Sequence, residues 1–341
     1  MLLGDALELR HGPPREALAA ARPFFEDLGR ALAGRELVIV AGNHDHGLLE
    51  PWLAGRGADA PPPPLGVEQL LDPAEVSPAL AQIAGWASPA RVRVAYPGLW
   101  LRPDVYATHG HYLDCHLTVP TLERLAAGAM SRLLGRPAAA FRGVDDYEAV
   151  GAPMFAWRDA VARDAPTGAA LNGAATASAW SALSGGGARA GSSHSAPVRW
   201  LRRRMILAGF PLAVAALNRA GIGPLRADVS MGELRRAGLR AMGEVAARLD
   251  LGDAYVVFGH THRAGPLPGD DQQEWRGRAG ARLVNTGSWA YARVFLAGHA
   301  GESPYWPGTC VLVADDGPPE LRRLLRDRTH AQIASNVVRL R

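Results

Sequence analysis

ELVIVAGNHDH, residues 36–46, is the stretch that decides the fold. Its apolar run from Leu37 to Ala41 ends at Gly42, and polar side chains from Asn43 to His46 follow directly. A short apolar run closed by glycine predicts a buried strand that ends at a turn. Open α/β sheets place their ligand sites just beyond the carboxyl ends of such strands. The stretch therefore predicts an α/β fold with a functional site at this strand end.

Three further apolar segments end in the same way, each followed by aspartate or histidine. They are Leu2-Leu3 before Gly4-Asp5, Val105-Tyr106-Ala107 before His109-Gly110-His111, and Tyr255 to Phe258 before Gly259-His260-Thr261-His262. Six of the 11 histidines fall in these short motifs and in the first stretch. Imidazole, carboxylate and amide oxygen together are ligands for Zn, Mn or Fe. They do not make a thiolate-type metal site. The four strand ends therefore predict one shared metal site.

Within two of these motifs, the spacing of the residues along the chain indicates which side chains can bind metal. His260 and His262 are two residues apart, so in extended backbone both project to the same side and can reach a metal. Asn43 and His44 are adjacent and project differently, so one can bind metal while the other faces substrate. Asp45 is then available to fix the tautomer of His44.

The remaining pattern predicts a core that is interrupted by a helical block. Residues 1–114 and 246–318 form the two parts of the core, 115–245 form the insertion, and 319–341 form a tail with a short basic helix. Helical spacing covers Arg15–Ala33, Leu65–Ala87 in pieces broken at Pro73 and Pro78, Glu123–Leu134, Asp146–Val161, Arg199–Asn218 and Met231–Leu249. Strands are expected at Arg91–Ala95 and Val105–Ala107, joined by a turn around Pro97-Gly98, and at Ala254–Phe258, Arg282–Asn285, Ala290–Phe295 and Thr309–Ala314.

The insertion contains two unusual segments. Residues 165–196 are rich in Ala, Gly and Ser and predict a low-complexity loop. The apolar, arginine-flanked segment from Trp200 to Leu207 has two interpretations. It is either a helix packed on its neighbours, or else a lid for a lipid-like substrate or a surface helix that touches a membrane.

Composition describes an ordinary globular protein. All 37 basic residues are arginine, yet the formal net charge is only +4, and the basic groups are scattered among acidic ones. No clear nucleic-acid surface is therefore indicated. Two cysteines make no disulfide framework and no CxxC metal site, which favours a cytoplasmic location.

The strand-end motifs resemble, in the same order, four of the five motifs of the calcineurin-like metallophosphoesterases. Asn285 to Trp289 is similar to the segment that follows the last motif in that family. The resemblance covers residues 1–111 and 249–314 and does not include the insertion. It implies an α/β/β/α sandwich of two mixed sheets, here with a large α-helical insertion. It also implies two divalent metal ions (Mn, Fe or Zn) and hydrolysis of a phosphomonoester, phosphodiester or pyrophosphate by a metal-bridging hydroxide.

The resemblance also implies a role for each matching residue. Asp5 would bridge the two metals, and His262 would bind the first. The second metal would be bound by Asn43, His109 and His260. His44 would contact the phosphoryl oxygens and protonate the leaving oxygen, with Asp45 orienting it.

The roles of two further histidines, and the substrate, have more than one interpretation. His46 and His111 either line the substrate pocket or only hydrogen-bond locally. The apolar stretch of the insertion favours a small or lipid-linked phosphoester, and a helical cap would obstruct a phosphoprotein.

One motif of the family is absent. No Asp-x-His sequence stands on a first strand, so the first metal site would keep only Asp5 and His262 of its ligands. The simplest explanation is that roughly 30–40 residues, about one β-α unit, precede this start. The alternative is a degenerate module that binds one metal or a partner without turnover.

A nucleic-acid processing enzyme is a third hypothesis, which would require a basic groove along the site.

Overall fold

The computed structural model describes residues 1–10, 12–56, 62–164, 209–291, 296 and 301–335. These residues form a mixed α/β fold around a seven-stranded mixed sheet, which confirms the predicted class. Its strands are β1 Leu2–Leu3, β2 Glu36–Val40, β3 Glu68–Leu71, β4 Arg91–Arg102, β5 Val105–Thr108, β6 Tyr255–Phe258 and β7 Arg282–Asn285. A separate antiparallel pair consists of β8 Thr309–Leu312 and β9 Glu320–Arg323.

The long strand β4 connects two parallel groups of strands. Its first half, Arg91 to Ala95, pairs in parallel with β2, and β2 pairs in parallel with β1. Its second half, from Gly98, pairs antiparallel with β5, and β5, β6 and β7 run parallel. Carboxyl ends of parallel neighbours share one edge, so β1 and β2 end together, as do β5, β6 and β7. The two groups of ends meet where the Leu3 carbonyl contacts the His109 ring, 3.0 Å away.

The described part of the chain contains several helices, and two groups of them pack on the sheet. They are α1 Pro14–Ala31, α2 Glu50–Gly55, α3 Pro73–Val76, α4 Pro78–Trp86, α5 Leu122–Leu133, α6 Val144–Asp164, α7 Met231–Arg248 and α8 His330–Ser335, and residues 209–219 are also helical. Phe25 and Ile83, from α1 and α4, share one buried cluster with β2 and β4. Tyr147 and Met242, from α6 and α7, share another with β5 and β6. The helices between β5 and β6 therefore pack on the sheet beside the strand ends.

Two secondary-structure predictions were wrong. Pro97-Gly98 is not a turn, because β4 continues through it while changing partner from β2 to β5. The beginning of the predicted helical segment 65–87 is strand β3, whereas its later part is helical in pieces, with α3 and α4 beginning at Pro73 and Pro78. The tail contains a helix, α8, and also a strand that was not predicted, β9.

Some predictions lie outside the described residues. They are the low-complexity loop, the segment from Trp200 to Leu207, and most of the strand expected at Ala290–Phe295. Among the helices that the structure describes, none is long and apolar enough to cross a membrane.

Candidate metal centre

Asp5, His109 and His260 bring their ligand atoms to one place, although they follow β1, β5 and β6. One atom from each lies within 4.8 Å of the others, and Asp5 Oδ2 is 3.2 Å from His109 Nε2. Burial by itself would raise the pKa of the Asp5 carboxyl, but the adjacent His109 and His44 hold that pKa well below its ordinary value. An ionised carboxylate and two imidazoles form a set of donors that fits a divalent cation such as Zn, Mn or Fe.

The amide oxygen of Asn43 faces the same point. Asn43 Oδ1 lies 3.2 Å from His109 Nε2 and 3.1 Å from His260 Nδ1. Asn43 is 2% exposed, so its side chain has little access to water. Four of the five residues predicted to bind metal therefore converge, each with an oxygen or nitrogen that can act as a ligand.

The fifth predicted ligand, His262, lies beside this group. Burial and the nearby His260 lower the pKa of His262 to about 4, which leaves a neutral imidazole at neutral pH. A neutral imidazole is the form that binds metal. His262 is not in the group of three whose atoms lie within 4.8 Å.

The backbone around the cluster is in an uncommon conformation. Asp5, His260 and His262 have φ angles of 53°, 60° and 61°, in the left-handed region. For L-residues that region costs about 1–2 kcal/mol per residue. Such strain is concentrated at functional sites, where the surrounding structure maintains it.

Two glycines allow the ligand side chains to approach this closely. A Cβ on Gly4 would lie 2.1 Å from His109 Nδ1, and one on Gly42 would lie 2.3 Å from Asp5 Oδ1. Neither distance is compatible with a side chain. The glycines that close the first two strands are therefore required by the site as well as by the turns.

Hydrogen bonds outside the cluster determine which ring nitrogen of each histidine faces it. Nδ1 of His109 lies 3.0 Å from the Leu3 carbonyl and donates to it, which leaves Nε2 facing Asp5. Nε2 of His260 lies 2.9 Å from Asp114 Oδ2, which leaves Nδ1 facing Asn43. A carboxylate or carbonyl behind a histidine ligand is the usual device for fixing its tautomer. The sequence analysis missed Asp114, whose only signal was an acidic residue soon after His111.

His44 is at the edge of the cluster, as predicted. Its backbone N–H donates to Asp5 Oδ1 at 2.9 Å, and its Nε2 lies 3.8 Å from Asp5 Oδ2. Its Nδ1 lies 2.5 Å from Glu8 Oε2, and Arg10 Nη2 contacts the same ring. The sequence analysis assigned no role to Glu8 or Arg10, since neither stands in a strand-end motif.

The predicted orienting role of Asp45 was wrong. The Asp45 carboxylate is fully buried and accepts backbone N–H groups, from Gly42 at 2.6 Å and from residues 5–7 at 2.8–3.3 Å. These bonds join the turn after β1 to the turn after β2. Asp45 therefore holds the backbone of both ligand turns, and the carboxylate next to the His44 ring is Glu8.

His46 and His111 lie beneath the cluster, covered by α6. Nε2 of His46 is 3.1 Å from Glu148 Oε2, a side chain of α6. Within the described residues, both ring nitrogens of His111 are buried without a hydrogen-bond partner, and its ring packs edge-on against Phe155. Substrate contact by His111 stays a prediction.

No protein-family model, curated protein or solved structure matches this chain. Its function must therefore be argued from its own residues and their geometry.

Proposed function

We propose that this chain is a metal-dependent phosphoesterase of the calcineurin-like kind. The convergence of Asp5, Asn43, His109 and His260 at one point, from four separate strand ends, carries the proposal. Such oxygen and imidazole donors suit the metals that hydrolyse phosphoesters. The α/β/β/α sandwich of two mixed sheets that is typical of this kind of enzyme is part of the same proposal.

Each residue has a distinct task in the proposed reaction. A cation held by these four side chains would lower the pKa of water and neutralise charge on the phosphoryl group. His44, beside Asp5, donates a proton to the leaving oxygen, and the Glu8 carboxylate at its Nδ1 keeps the ring oriented and supports its charge. The Arg10 guanidinium, which contacts the same ring, is suited to bind a phosphoryl oxygen.

A second cation is part of the proposal, with Asp5 shared between the two positions. His262 is the histidine available for the second position, because it is neutral and lies near Asp5 and His44. A metal count decides between one ion and two.

The helical insertion favours a small or lipid-linked substrate. Glu148 of α6 hydrogen-bonds both to His46, just after Asn43 and His44, and to Tyr112, just after His109. The helix is thus attached to two of the segments that carry the site. A cap in this position leaves less room for a folded phosphoprotein than for a small phosphoester.

The test combines metal content with turnover. The full chain is loaded with Mn²⁺ or Zn²⁺, and bound metal and hydrolysis of p-nitrophenyl and bis-p-nitrophenyl phosphate are measured. We expect at least one ion per chain. His109→Gln should lose metal and activity together. His44→Ala should keep metal but lose about 10²–10⁴-fold in kcat, the usual contribution of a general acid.

His330→Gln is the control. His330 lies in the tail, contacts Tyr291 and is not in the metal cluster. It should change neither metal content nor kcat. A wild-type chain that binds no metal contradicts the site. A chain that binds metal but hydrolyses neither ester contradicts the enzyme proposal and favours a non-catalytic metal-binding module.

A further inference from the structure

A cavity of about 700 Å³ lies between the helical insertion and residues 276–278. It is bordered by α5, the loop 221–224 and α7, is partly open to solvent, and has Cys115 and His116 on its wall. None of the residues that form the metal cluster lines it. It is therefore a separate site, large enough for a small organic molecule.

The wall of this cavity is strongly basic. Among the described residues, seven arginines line it, against one carboxylate, Glu244. Besides Arg124, the lining arginines are Arg132, Arg226, Arg240, Arg248, Arg276 and Arg278. The whole chain has a net charge of only +4, so this concentration of charge is local and not a reflection of composition.

Arg124 is the strongest indication of a ligand. It is 3% exposed, and its Nε donates to the Leu117 carbonyl at 2.7 Å. Among the described residues its two terminal amino groups make no hydrogen bond, and they are accessible from the cavity that the side chain lines. A guanidinium offers an anion paired N–H donors in a fixed geometry. An anion in the cavity would accept from these two groups.

Only some of the surrounding arginines have carboxylate partners. Arg226 and Arg240 share Glu233, at 3.6 and 2.5 Å, and Arg248 lies 2.6 Å from Glu244. Within the described residues, no acidic group pairs with the other three, which are Arg132, Arg276 and Arg278. Their charge is available to a ligand.

Glycines give the arginines their positions. A Cβ on Gly128 would lie 2.7 Å from Arg124 Nη1, so the absence of a side chain there makes room for the guanidinium. A Cβ on Gly243 of α7 would lie 2.9 Å from Gly277 Cα. This close approach of backbone to backbone brings Arg276 and Arg278 to the cavity.

We propose that this cavity binds a small molecule that carries two or more phosphoryl groups. Arginine binds phosphate through paired N–H donors, and the arginines here surround the space from several elements. The size of the cavity excludes a folded partner. The four lining guanidiniums without a carboxylate partner among the described residues exceed what a single monoanion would need.

This site adjoins the metal cluster through three consecutive residues. Asp114 contacts His260, while Cys115 and His116 face the cavity. The binding proposal does not depend on hydrolysis and can be tested with all metal removed.

Pyrophosphate in excess EDTA is the probe, with binding to the full chain measured by isothermal titration calorimetry. We expect one saturable site, at least tenfold weaker in Arg276→Ala/Arg278→Ala. The same affinity should be found in His109→Gln, because the metal cluster is not involved. Sulfate, which carries one anionic group, should bind at least tenfold more weakly than pyrophosphate.

Arg22→Ala/Arg30→Ala is the matched control. It removes the same two charges from exposed positions on α1. Its affinity for pyrophosphate should stay within twofold of wild type. Arg124→Met should also lose at least tenfold, with circular dichroism to verify folding. The proposal would be overturned if pyrophosphate showed no saturable binding or if both double variants lost affinity equally. It would also be overturned if sulfate bound with the same affinity as pyrophosphate.

Discussion

Glu148 provides the sharpest test of how the insertion is attached to the core. Its carboxylate accepts hydrogen bonds from the hydroxyls of Tyr96 at 2.5 Å and Tyr112 at 2.6 Å, and lies 3.1 Å from His46 Nε2. Burial by itself would raise its pKa, but His46 and the two tyrosine hydroxyls bring that pKa below its ordinary value. One side chain of α6 therefore joins β4 to the two segments that follow the site strands.

Glu148→Gln removes the charge while nearly preserving shape. A hydrogen bond to a charged group contributes about 1.5–3 kcal/mol, and removing one member of a buried charged network costs about 3–5 kcal/mol. The amide keeps one acceptor, so we expect a loss of about 3 kcal/mol in the free energy of unfolding. That is a large part of the roughly 5–15 kcal/mol available to a folded protein.

Urea denaturation followed by far-UV circular dichroism measures this loss. Glu75→Gln, at an exposed position on α3, is the matched control and should stay within about 0.5 kcal/mol of wild type. Combining Glu148→Gln with Tyr112→Phe should give a coupling energy above about 1 kcal/mol, because the two side chains are in direct contact. A loss below about 0.5 kcal/mol for Glu148→Gln would refute the reasoning.

The effect should also depend on pH, with a defined sign. Because the pKa of Glu148 is lower in the folded chain than its ordinary 4.5, its stabilising contribution is complete above about pH 4.5. It is lost as the pH falls through the folded pKa. The difference between wild type and Glu148→Gln should therefore be full at pH 7 and shrink below about pH 4. A difference that stays constant down to pH 3 would mean that the charge is not what stabilises the contact.

Two further predictions concern the metal centre. Gly42→Ala would place its Cβ 2.3 Å from Asp5 Oδ1, so it should abolish metal binding and cost several kcal/mol of stability. In contrast, a Cβ on Gly85, in the last turn of α4, meets nothing within 4 Å, so Gly85→Ala should stabilise by up to about 1 kcal/mol. Equal metal affinity in the two variants would contradict the steric argument. Asp114→Asn should weaken metal binding by about 10–100-fold, because it removes the carboxylate behind His260, and calorimetric titration with Zn²⁺ measures the loss.

The parts of the fold that could be predicted are those that a local pattern determines. Strands β2, β6 and β7 are short apolar runs, and the first two end at glycine before polar residues. Buried strands need such runs, and the polar residues follow where the sheet ends. The same pattern located Asn43, His109 and His260, since their placement requires only that the ends of these strands meet.

The errors occurred where a pattern has more than one structural use. Pro97 lacks an N–H and was assigned to a turn, but it stands where β4 leaves β2 and begins to pair with β5. Proline is tolerated at such a change of partner. At Pro73 and Pro78, by contrast, the expected breaks are present, because each proline begins a helix behind a side-chain cap, at Asp72 and Ser77.

Contacts between residues distant in sequence could not be predicted at all. Periodicity shows which side chains share a face, but not which element lies opposite. Asp45 illustrates the consequence, because adjacency in sequence suggested His44 as its partner, whereas its carboxylate binds backbone of the β1 turn some 39 residues away. Asp114 lies 146 residues from His260, and yet it determines which nitrogen of His260 can bind metal. The side chains of this candidate site are thus encoded locally, while their orientation depends on residues distant in sequence, such as Asp114, and on the pairing of strands. A variant that leaves every strand-end motif intact can therefore still abolish metal binding.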